Sequence, residues 1–146
     1  MKPAPFAYAA PTSLSEALEA LSRPGAKVLA GGQSLLPLLN MRLATPELVV
    51  DINRLSDLDR VDTLSTGPGD AGPGDAGPGD AGPGDAGPRD AGGVRIGALV
   101  RHSMTATSDH VRTIAPLAAE AVGLIGHPAI RNRGTTVGSL IHADPA

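Results

Sequence analysis

The stretch AGGQSLLPLL, residues 30–39, decides the fold class because it joins the end of a predicted strand to the start of a predicted helix. The apolar run Lys27–Ala30 is typical of a short buried strand. The Gly31-Gly32 pair permits a turn with positive φ. Pro37 is tolerated only in the first turn of a helix, so the helix should begin near Ser34. The stretch therefore predicts a strand–turn–helix unit.

A turn of this kind suits a phosphate group. Backbone N–H groups at a helix start lack intrahelical partners, and the helix dipole adds partial positive charge. Ser34 could cap the helix or donate a hydrogen bond to a phosphate oxygen. A plain strand–turn–helix connection explains the same residues. The sequence around the turn has neither the Gly-Lys-Ser/Thr of a P-loop nor the spacing of a Rossmann fingerprint, which disfavours a nucleotide kinase and a Rossmann dehydrogenase.

The other periodic segments alternate between helix and strand, which predicts an α/β or α+β fold. Apolar residues at i, i+3, i+4 and i+7 predict a helix over residues 14–21, with Ser13 and Glu16 as a capping box and Pro24-Gly25 as its end. Leu48–Ile52 is typical of another buried strand. A second helical stripe, closed by Gly126 and His127-Pro128, consists of Ile114, Leu117, Ala118, Ala121, Val122 and Ile125.

A repeat fills the middle of the chain. From Gly67 to Ala91 the unit Gly-Pro-Gly-Asp-Ala occurs four times and is followed by Gly-Pro-Arg-Asp-Ala. The period of five excludes a collagen triple helix. The unit has no apolar side chain larger than Ala, so we predict a disordered surface loop. Its flanks, Val61–Leu64 and Val94–Gly97, are predicted strands, which makes the repeat a lengthened hairpin loop. Its isolated Asp residues do not preorganise a calcium site.

A second polar turn occupies Arg131–Ser139. Backbone N–H groups and hydroxyls make it rich in hydrogen-bond donors, which come from Gly134, Thr135, Thr136, Gly138 and Ser139. Arg131 and Arg133 precede the turn. Arginine beside a diphosphate would add favourable charge, although a solvated or carboxylate-paired arginine explains both residues as well.

Composition excludes several classes of function. The 146 residues contain no Cys, one Tyr and one Phe, and their net charge is −3. Disulfides, thiolate metal sites and cysteine nucleophiles are therefore excluded within these residues. Aromatic residues are scarce and basic residues are not in excess, and both facts disfavour nucleic-acid binding. No apolar run reaches the length of a membrane span, and the start lacks the apolar stretch of a signal peptide, so a soluble cytoplasmic protein without membrane insertion is expected.

Histidine and serine chemistry is also disfavoured. No metal-like spacing relates the four histidines, which are His102, His110, His127 and His142. Neither Ser103 nor Ser139 has a nucleophile-elbow motif. Asp51 is interpreted as the end of a strand. We therefore expect no metal ligand and no catalytic acid, base or nucleophile.

Four stretches in order resemble the FAD-binding medium subunit of molybdenum hydroxylases, the family of carbon monoxide dehydrogenase and xanthine dehydrogenase. The matching stretches are Pro5–Tyr8 with Pro11 and the helix over 13–21, Ala30–Pro37 with Met41–Leu43 and Pro46-Glu47, Val94–Ala98, and His127–Pro145. Together they cover nearly the whole chain except the repeat. Their order and spacing make the resemblance specific, whereas a lone Gly-Gly turn would be weak.

The resemblance implies a fold and a site. The implied fold is an α/β FAD-binding domain similar to vanillyl-alcohol oxidase, not Rossmann, with two small subdomains over residues 1–58 and 59–146. The implied FAD-binding residues are Ala30, Gly31, Gly32, Gln33, Ser34 and Leu35 in a first diphosphate loop and Thr135, Thr136, Val137, Gly138 and Ser139 in a second. The family's second loop is usually Thr-Ile-Gly-Gly-Asn/Ser, so Val137 stands at a glycine position. Either that position needs no positive φ, or the loop binds phosphate less well.

The resemblance also implies partners. A large subunit would carry the molybdenum cofactor, and a small subunit would pass electrons from its iron–sulfur clusters to FAD and on to an external acceptor. Family members continue well beyond Ala-Asp-Pro, so this chain is expected to be a fragment or a truncated product. Two alternatives remain: a truncated, non-catalytic chain that serves as an interaction module or has no function, and a single-chain flavin oxidase similar to vanillyl-alcohol oxidase.

Overall fold

The computed structural model describes residues 2–64 and 92–143, and over these residues the chain is a mixed α/β structure. The predicted fold class is therefore confirmed. The whole repeat, Gly67–Ala91, and the last three residues lie outside the described residues, so the predicted disorder of the repeat stays a prediction. No helix in the described ranges is long and apolar enough to cross a membrane.

The first half of the described chain contains a three-stranded parallel sheet. Its strands are β1 (Ala7–Ala9), β2 (Ala26–Leu29) and β3 (Leu48–Asp51), in the order β1-β3-β2. The central strand β3 is buried along Leu48, Val49 and Val50, as expected for an apolar run between two parallel neighbours. The two strands that the sequence predicted are confirmed to within one residue. Strand β1 escaped prediction because a segment of three residues shows no periodicity.

Helix α1 (Leu14–Leu21) is confirmed, with its predicted N-cap. The Ser13 hydroxyl accepts a hydrogen bond from the Glu16 N–H at 3.3 Å, while the Glu16 carboxylate accepts from the Thr12 N–H at 3.2 Å. In a capping box the carboxylate would accept from the N-cap residue itself, so the reciprocal bond is shifted by one residue. The helix packs Ala17 into a core whose other buried members are Leu48, Val50, Ile52, Leu55 and Leu99.

The repeat is flanked by a two-stranded antiparallel sheet. Strand β4 (Val61–Leu64) pairs with β5 (Gly93–Ile96), with Val61 opposite Ile96 and Leu64 opposite Gly93. The predicted hairpin is therefore confirmed in its strands, and the second strand begins one residue earlier than predicted.

Helices account for most of the remaining chain. They are α2 (Leu35–Asn40), α3 (His102–Thr107), α4 (Asp109–Ile114), α5 (Pro116–Gly123), α6 (Pro128–Arg131) and α7 (Thr136–His142). The single helical stripe predicted from Ile114 to Ile125 is wrong. Ile114 ends α4 and Pro116 starts α5, because proline lacks the N–H that would continue the preceding helix. Leu117 is 77% exposed, and the buried side of α5 consists of Ala119 and Val122.

Candidate functional site

The two predicted glycine turns meet at one cavity of about 400 Å³. Ten of the eleven predicted site residues line it: Ala30, Gly31, Gly32, Gln33, Ser34, Leu35, Thr135, Val137, Gly138 and Ser139. The eleventh, Thr136, does not. The rest of the wall is largely apolar and includes Val28, Leu38, Ile52 and Ala98, with Lys27 and His142 among its polar members. Two segments distant in sequence thus share one concave surface.

The first turn runs from β2 into α2. Gly32 has φ of +73°, a conformation that favours glycine, and its carbonyl accepts a hydrogen bond from the Leu36 N–H at 3.1 Å. Ser34 is the N-cap residue of α2, and among the described residues its hydroxyl makes no capping hydrogen bond. The helix therefore begins where Pro37 predicted it, and the Ser34 hydroxyl is not committed to the helix end.

Gly31 is required for a different reason. A Cβ atom at this position would meet the Arg133 carbonyl oxygen and lie 2.8 Å from the Gly134 Cα. The first turn therefore touches the backbone of the second turn directly. The sequence suggested that the glycines let the backbone approach a ligand, whereas at Gly31 the group that approaches is the other turn.

The second turn ends in the N-cap of α7. The Thr135 hydroxyl accepts a hydrogen bond from the Gly138 N–H at 3.2 Å. A Cβ atom at Gly138 would collide with that hydroxyl oxygen, so glycine is needed inside this first helical turn. Val137 lies in the same turn with negative φ, because the non-glycine residues with positive φ in the described ranges are Arg42, Asp57 and Ala143. The sequence left two possibilities for Val137, and the structure supports the first: the position needs no positive φ.

Backbone pairing anchors the second turn to the segment just before α3. The His102 N–H donates to the Gly134 carbonyl at 3.0 Å, and the Thr136 N–H donates to the Val100 carbonyl at 3.1 Å. Thr136 is buried, and its hydroxyl oxygen lies 2.7 Å from that of Thr105. Thr136 therefore secures the turn from behind and faces away from the cavity.

His102 lies beneath the second turn and was not anticipated in this role. It is 2% exposed, with Nε2 3.1 Å from the Ser139 hydroxyl oxygen and Nδ1 3.5 Å from that of Thr136. Burial, followed by the positive charge of Arg131, lowers the pKa of His102. A neutral imidazole donates from one nitrogen and accepts at the other, so it can serve both hydroxyls. No sequence pattern predicts this contact, since His102 shares no motif with Ser139.

The arginines before the second turn do not line the cavity. Arg131 donates hydrogen bonds from Nη1 to the Ile125 and Gly126 carbonyls, at 3.3 and 2.7 Å. It lines a separate open cavity of about 580 Å³ between α3, α5 and α6. Arg133 is exposed and contributes its backbone carbonyl to the contact with Gly31. Among the residues that the structure describes, Lys27 is the lysine or arginine that lines the cavity shared by the two turns.

Asp51 ends β3, as interpreted from the sequence, and also organises its surroundings. Its carboxylate accepts hydrogen bonds from the Tyr8 hydroxyl at 2.7 Å and from the backbone and side chain of Asn53 at 2.9 and 2.7 Å. Partial burial alone would raise the pKa of Asp51, but these hydrogen bonds and the charge of Arg54 outweigh it and lower the pKa. The same hydrogen bond raises the pKa of Tyr8. Asp51 is therefore a charged acceptor.

Residues 4–67 and 87–146 match the family described as the FAD binding domain in molybdopterin dehydrogenase. The chain belongs to this family. FAD is accordingly the cofactor of the domain, and the resemblance seen in the sequence is confirmed. The internal stretch left unmatched, 68–86, falls inside the repeat, so most of the repeat is not part of what this FAD-binding domain shares with its family.

Relatives of this FAD-binding domain include subunits of several dehydrogenases. The chain is 41% identical to the alpha subunit of the 6-hydroxypseudooxynicotine dehydrogenase complex of Paenarthrobacter nicotinovorans and 37% identical to the beta subunit of caffeine dehydrogenase of Pseudomonas sp. (strain CBB1). Both alignments cover 100% of this chain and 41% of the relative. The chain thus spans less than half the length of these proteins.

Solved structures in this family share the fold. The chain superposes with a TM-score of 0.75 and 36% identity on carbon monoxide dehydrogenase from Hydrogenophaga pseudoflava, in a form that lacks the Mo-pyranopterin moiety, covering 99% of this chain and 42% of that one. Quinoline 2-oxidoreductase from Pseudomonas putida 86 gives a TM-score of 0.73 and 35% identity over the same shares of the two chains. These structures therefore share the mixed α/β fold of this chain.

The cavity fits part of this cofactor in size and lining. Its volume of about 400 Å³ lies within the range of roughly 300–1,000 Å³ that is usual for ligand sites. Two helix starts and the hydroxyls of Ser34 and Ser139 offer hydrogen-bond donors to an anionic group, while Val28, Leu38 and Ile52 offer apolar contact. Hydrogen-bond donors of this kind suit an anionic group.

Proposed function

We propose that the chain is the FAD-binding, electron-transferring part of a molybdenum-containing hydroxylase or dehydrogenase, and that its two glycine turns hold the FAD diphosphate. The observation that carries the proposal is the meeting of both turns at one cavity. Ten residues chosen from the sequence as diphosphate-binding residues line it together, although the turns lie far apart along the chain. The family match supplies the identity of the cofactor.

Different residues of the two turns would contact FAD in different ways. In the proposal, the helix starts after Gly32 and Thr135 direct backbone N–H groups at the diphosphate oxygens. The hydroxyls of Ser34 and Ser139 add side-chain donors. Gly31 and Gly138 shape the cradle, because their missing Cβ atoms allow the turn-to-turn contact and the Thr135 cap. FAD supplies the redox chemistry when bound, and the chain binds and orients it.

The partners in this proposal are two further subunits. A large subunit would carry the molybdenum cofactor and the substrate site, and a small subunit would carry iron–sulfur clusters that pass electrons to FAD and then to an external acceptor. The absence of cysteine from the 146 residues means that these residues provide no thiolate ligand for such clusters. The named relatives are subunits of multi-subunit dehydrogenases, which supports assembly with other chains.

The test is to produce the chain with its partner subunits and to measure the flavin absorption band and the ratio of FAD to protein. We expect a yellow complex with FAD bound to this chain. A pure, folded and colourless complex would contradict the proposal and would favour the interaction-module alternative. Replacing Ser34 and Ser139 together with Ala should lower FAD affinity, while Ser103→Ala, which removes a hydroxyl beside the other cavity, serves as the matched control.

A further inference from the structure

Asn53 follows β3 and holds the first turn from outside the cavity. Its Nδ2 donates hydrogen bonds to the Ala30 carbonyl at 2.8 Å and to the Asp51 carboxylate at 2.7 Å. Both partners only accept, so the amide nitrogen must face them. The amide oxygen therefore faces the opposite direction, towards Arg101.

Arg101 completes the link to the second turn. Its Nη2 donates to Asn53 Oδ1 at 3.0 Å, and its Nη1 donates to the Arg133 carbonyl. The planar guanidinium holds its two donors in a fixed relation. One asparagine and one arginine thus connect the Ala30 carbonyl in the first turn with the Arg133 carbonyl in the second.

The same two turns touch where Gly31 lies against residues 133–135. That contact keeps the turns from moving closer, and the hydrogen-bonded link keeps them from moving apart. The backbone bridge between Arg101 and Thr135 supports the link at its far end. The separation of the turns is therefore fixed by the chain itself.

The two side chains of the link lie outside the cavity. Asn53 and Arg101 are absent from the residues that line it, and Asn53 is exposed. They also lie outside the buried cluster that holds the core together. Their position suits residues that control the geometry of the turns more than the stability of the fold.

We propose that Asn53 and Arg101 are positioning residues that preset the spacing of the two turns, so that the cradle is formed before a diphosphate arrives. This inference rests on the proposed function. A ligand that had to order both turns would lose part of its binding free energy to that ordering, and the link removes this cost in advance.

The test uses the complex of the chain with its partner subunits, stripped of flavin and titrated with FAD, ADP and inorganic diphosphate. Asn53→Ala and Arg101→Met should each weaken binding of all three probes about tenfold, as expected when binding must also order the turns. The double variant should be little worse than either single variant, because both changes break one link. Arg101→Lys, which keeps a donor without the fork, should restore part of the affinity.

A spectroscopic measurement separates positioning from a general structural role. At saturating FAD, the phosphorus NMR resonances of the diphosphate should shift in the Asn53 and Arg101 variants, while thermal unfolding of the flavin-free protein stays close to wild type. Arg112→Met is the matched control, because it also removes a hydrogen bond from an arginine to a backbone carbonyl. Arg112 Nε donates to the Ala106 carbonyl at 3.0 Å, and Arg112 lines the other cavity. This control should leave both measurements unchanged.

The outcomes distinguish the two proposals. Wild-type protein that binds none of the three probes would refute the diphosphate site itself. Wild-type protein that binds them, together with link variants of equal affinity and unchanged resonances, would refute the positioning role and leave the site intact. Affinity lost only in proportion to unfolded protein would also overturn the positioning role.

Discussion

At the scale of single residues, Gly31 gives the sharpest prediction. A Cβ atom in Gly31→Ala would push against Arg133 and Gly134 in the second turn. Because the obstacle is backbone, relief requires the turns to separate, and we expect a loss of stability of about 1–3 kcal/mol together with weaker FAD binding. Thermal unfolding and FAD titration measure the two effects.

Gly123→Ala is the control for this substitution. Its Cβ would meet nothing within 4 Å, and Gly123 ends helix α5. The change should be neutral or stabilising by up to about 1 kcal/mol, because alanine favours a helix over glycine. Equal behaviour of the two variants would show that the turns are not in contact.

His102 predicts how stability depends on pH. Its pKa in the folded protein lies below the ordinary value of 6.5, so the unfolded chain takes up the proton first as the pH falls. Stability should therefore be fully present above pH 6.5 and decline as the pH falls from there towards the folded pKa. Thermal unfolding above and below this value should show a steeper loss for wild type than for His102→Gln, which cannot take up the proton. Parallel pH profiles would exclude His102 as the source.

At the scale of elements, Val137 tests whether α7 needs the glycine that the family usually has. Val137 already has a helical conformation in the first turn of α7. Val137→Gly should therefore cost about 0.5–1 kcal/mol of stability through helix propensity, with no gain in FAD affinity. Calorimetry and FAD titration check both points. A marked tightening of FAD binding would mean that the valine obstructs the site.

Periodicity predicted those elements whose sequence alternates or repeats regularly. Helix α1 was predicted because its apolar residues recur at i, i+3, i+4 and i+7, and strand β3 because it is a short continuous apolar run. The apolar stripe from Ile114 to Ile125 was predicted as one helix, but Pro116 divides it into two. The apolar spacing continues across Pro116, so the pattern alone does not show that a new helix starts there. Strand β1 exists through its pairing with β3, where Ala7 lies opposite Leu48. Such pairing is a tertiary interaction that three residues do not encode locally.

Across the full fold, the two turns could be predicted from the sequence, but the side chains that connect and support them could not. Glycine and hydroxyl clusters mark a polar turn at each of two places, and the family resemblance connects them. Asn53, Arg101 and His102 are single polar residues with no periodic or motif signal, and their partners lie far away in sequence. Their roles follow only from the packing of segments 30–34, 51–53, 100–102 and 133–139 against one another.

Removal of the repeat would test how the hairpin tolerates its insertion. Deleting Gly67–Ala91 would leave Ser65-Thr66-Gly92 between Leu64 and Gly93, which lie opposite each other in the hairpin. A three-residue hairpin loop commonly ends in a glycine, so the shortened chain has suitable turn chemistry. The entropic cost of closing a loop is smaller for a shorter loop, so the deletion should stabilise the hairpin by roughly 1–2 kcal/mol.

Flavin content should be unchanged by this deletion, because the family match omits residues 68–86, which make up most of the repeat. Circular dichroism, thermal unfolding and the FAD-to-protein ratio provide the measurements. Reversing the order of the deleted residues without removing them is the matched control, since it keeps length and composition while changing the sequence. If the deletion alone yields insoluble or flavin-free protein, the repeat takes part in the fold, and its interpretation as an added hairpin loop is wrong.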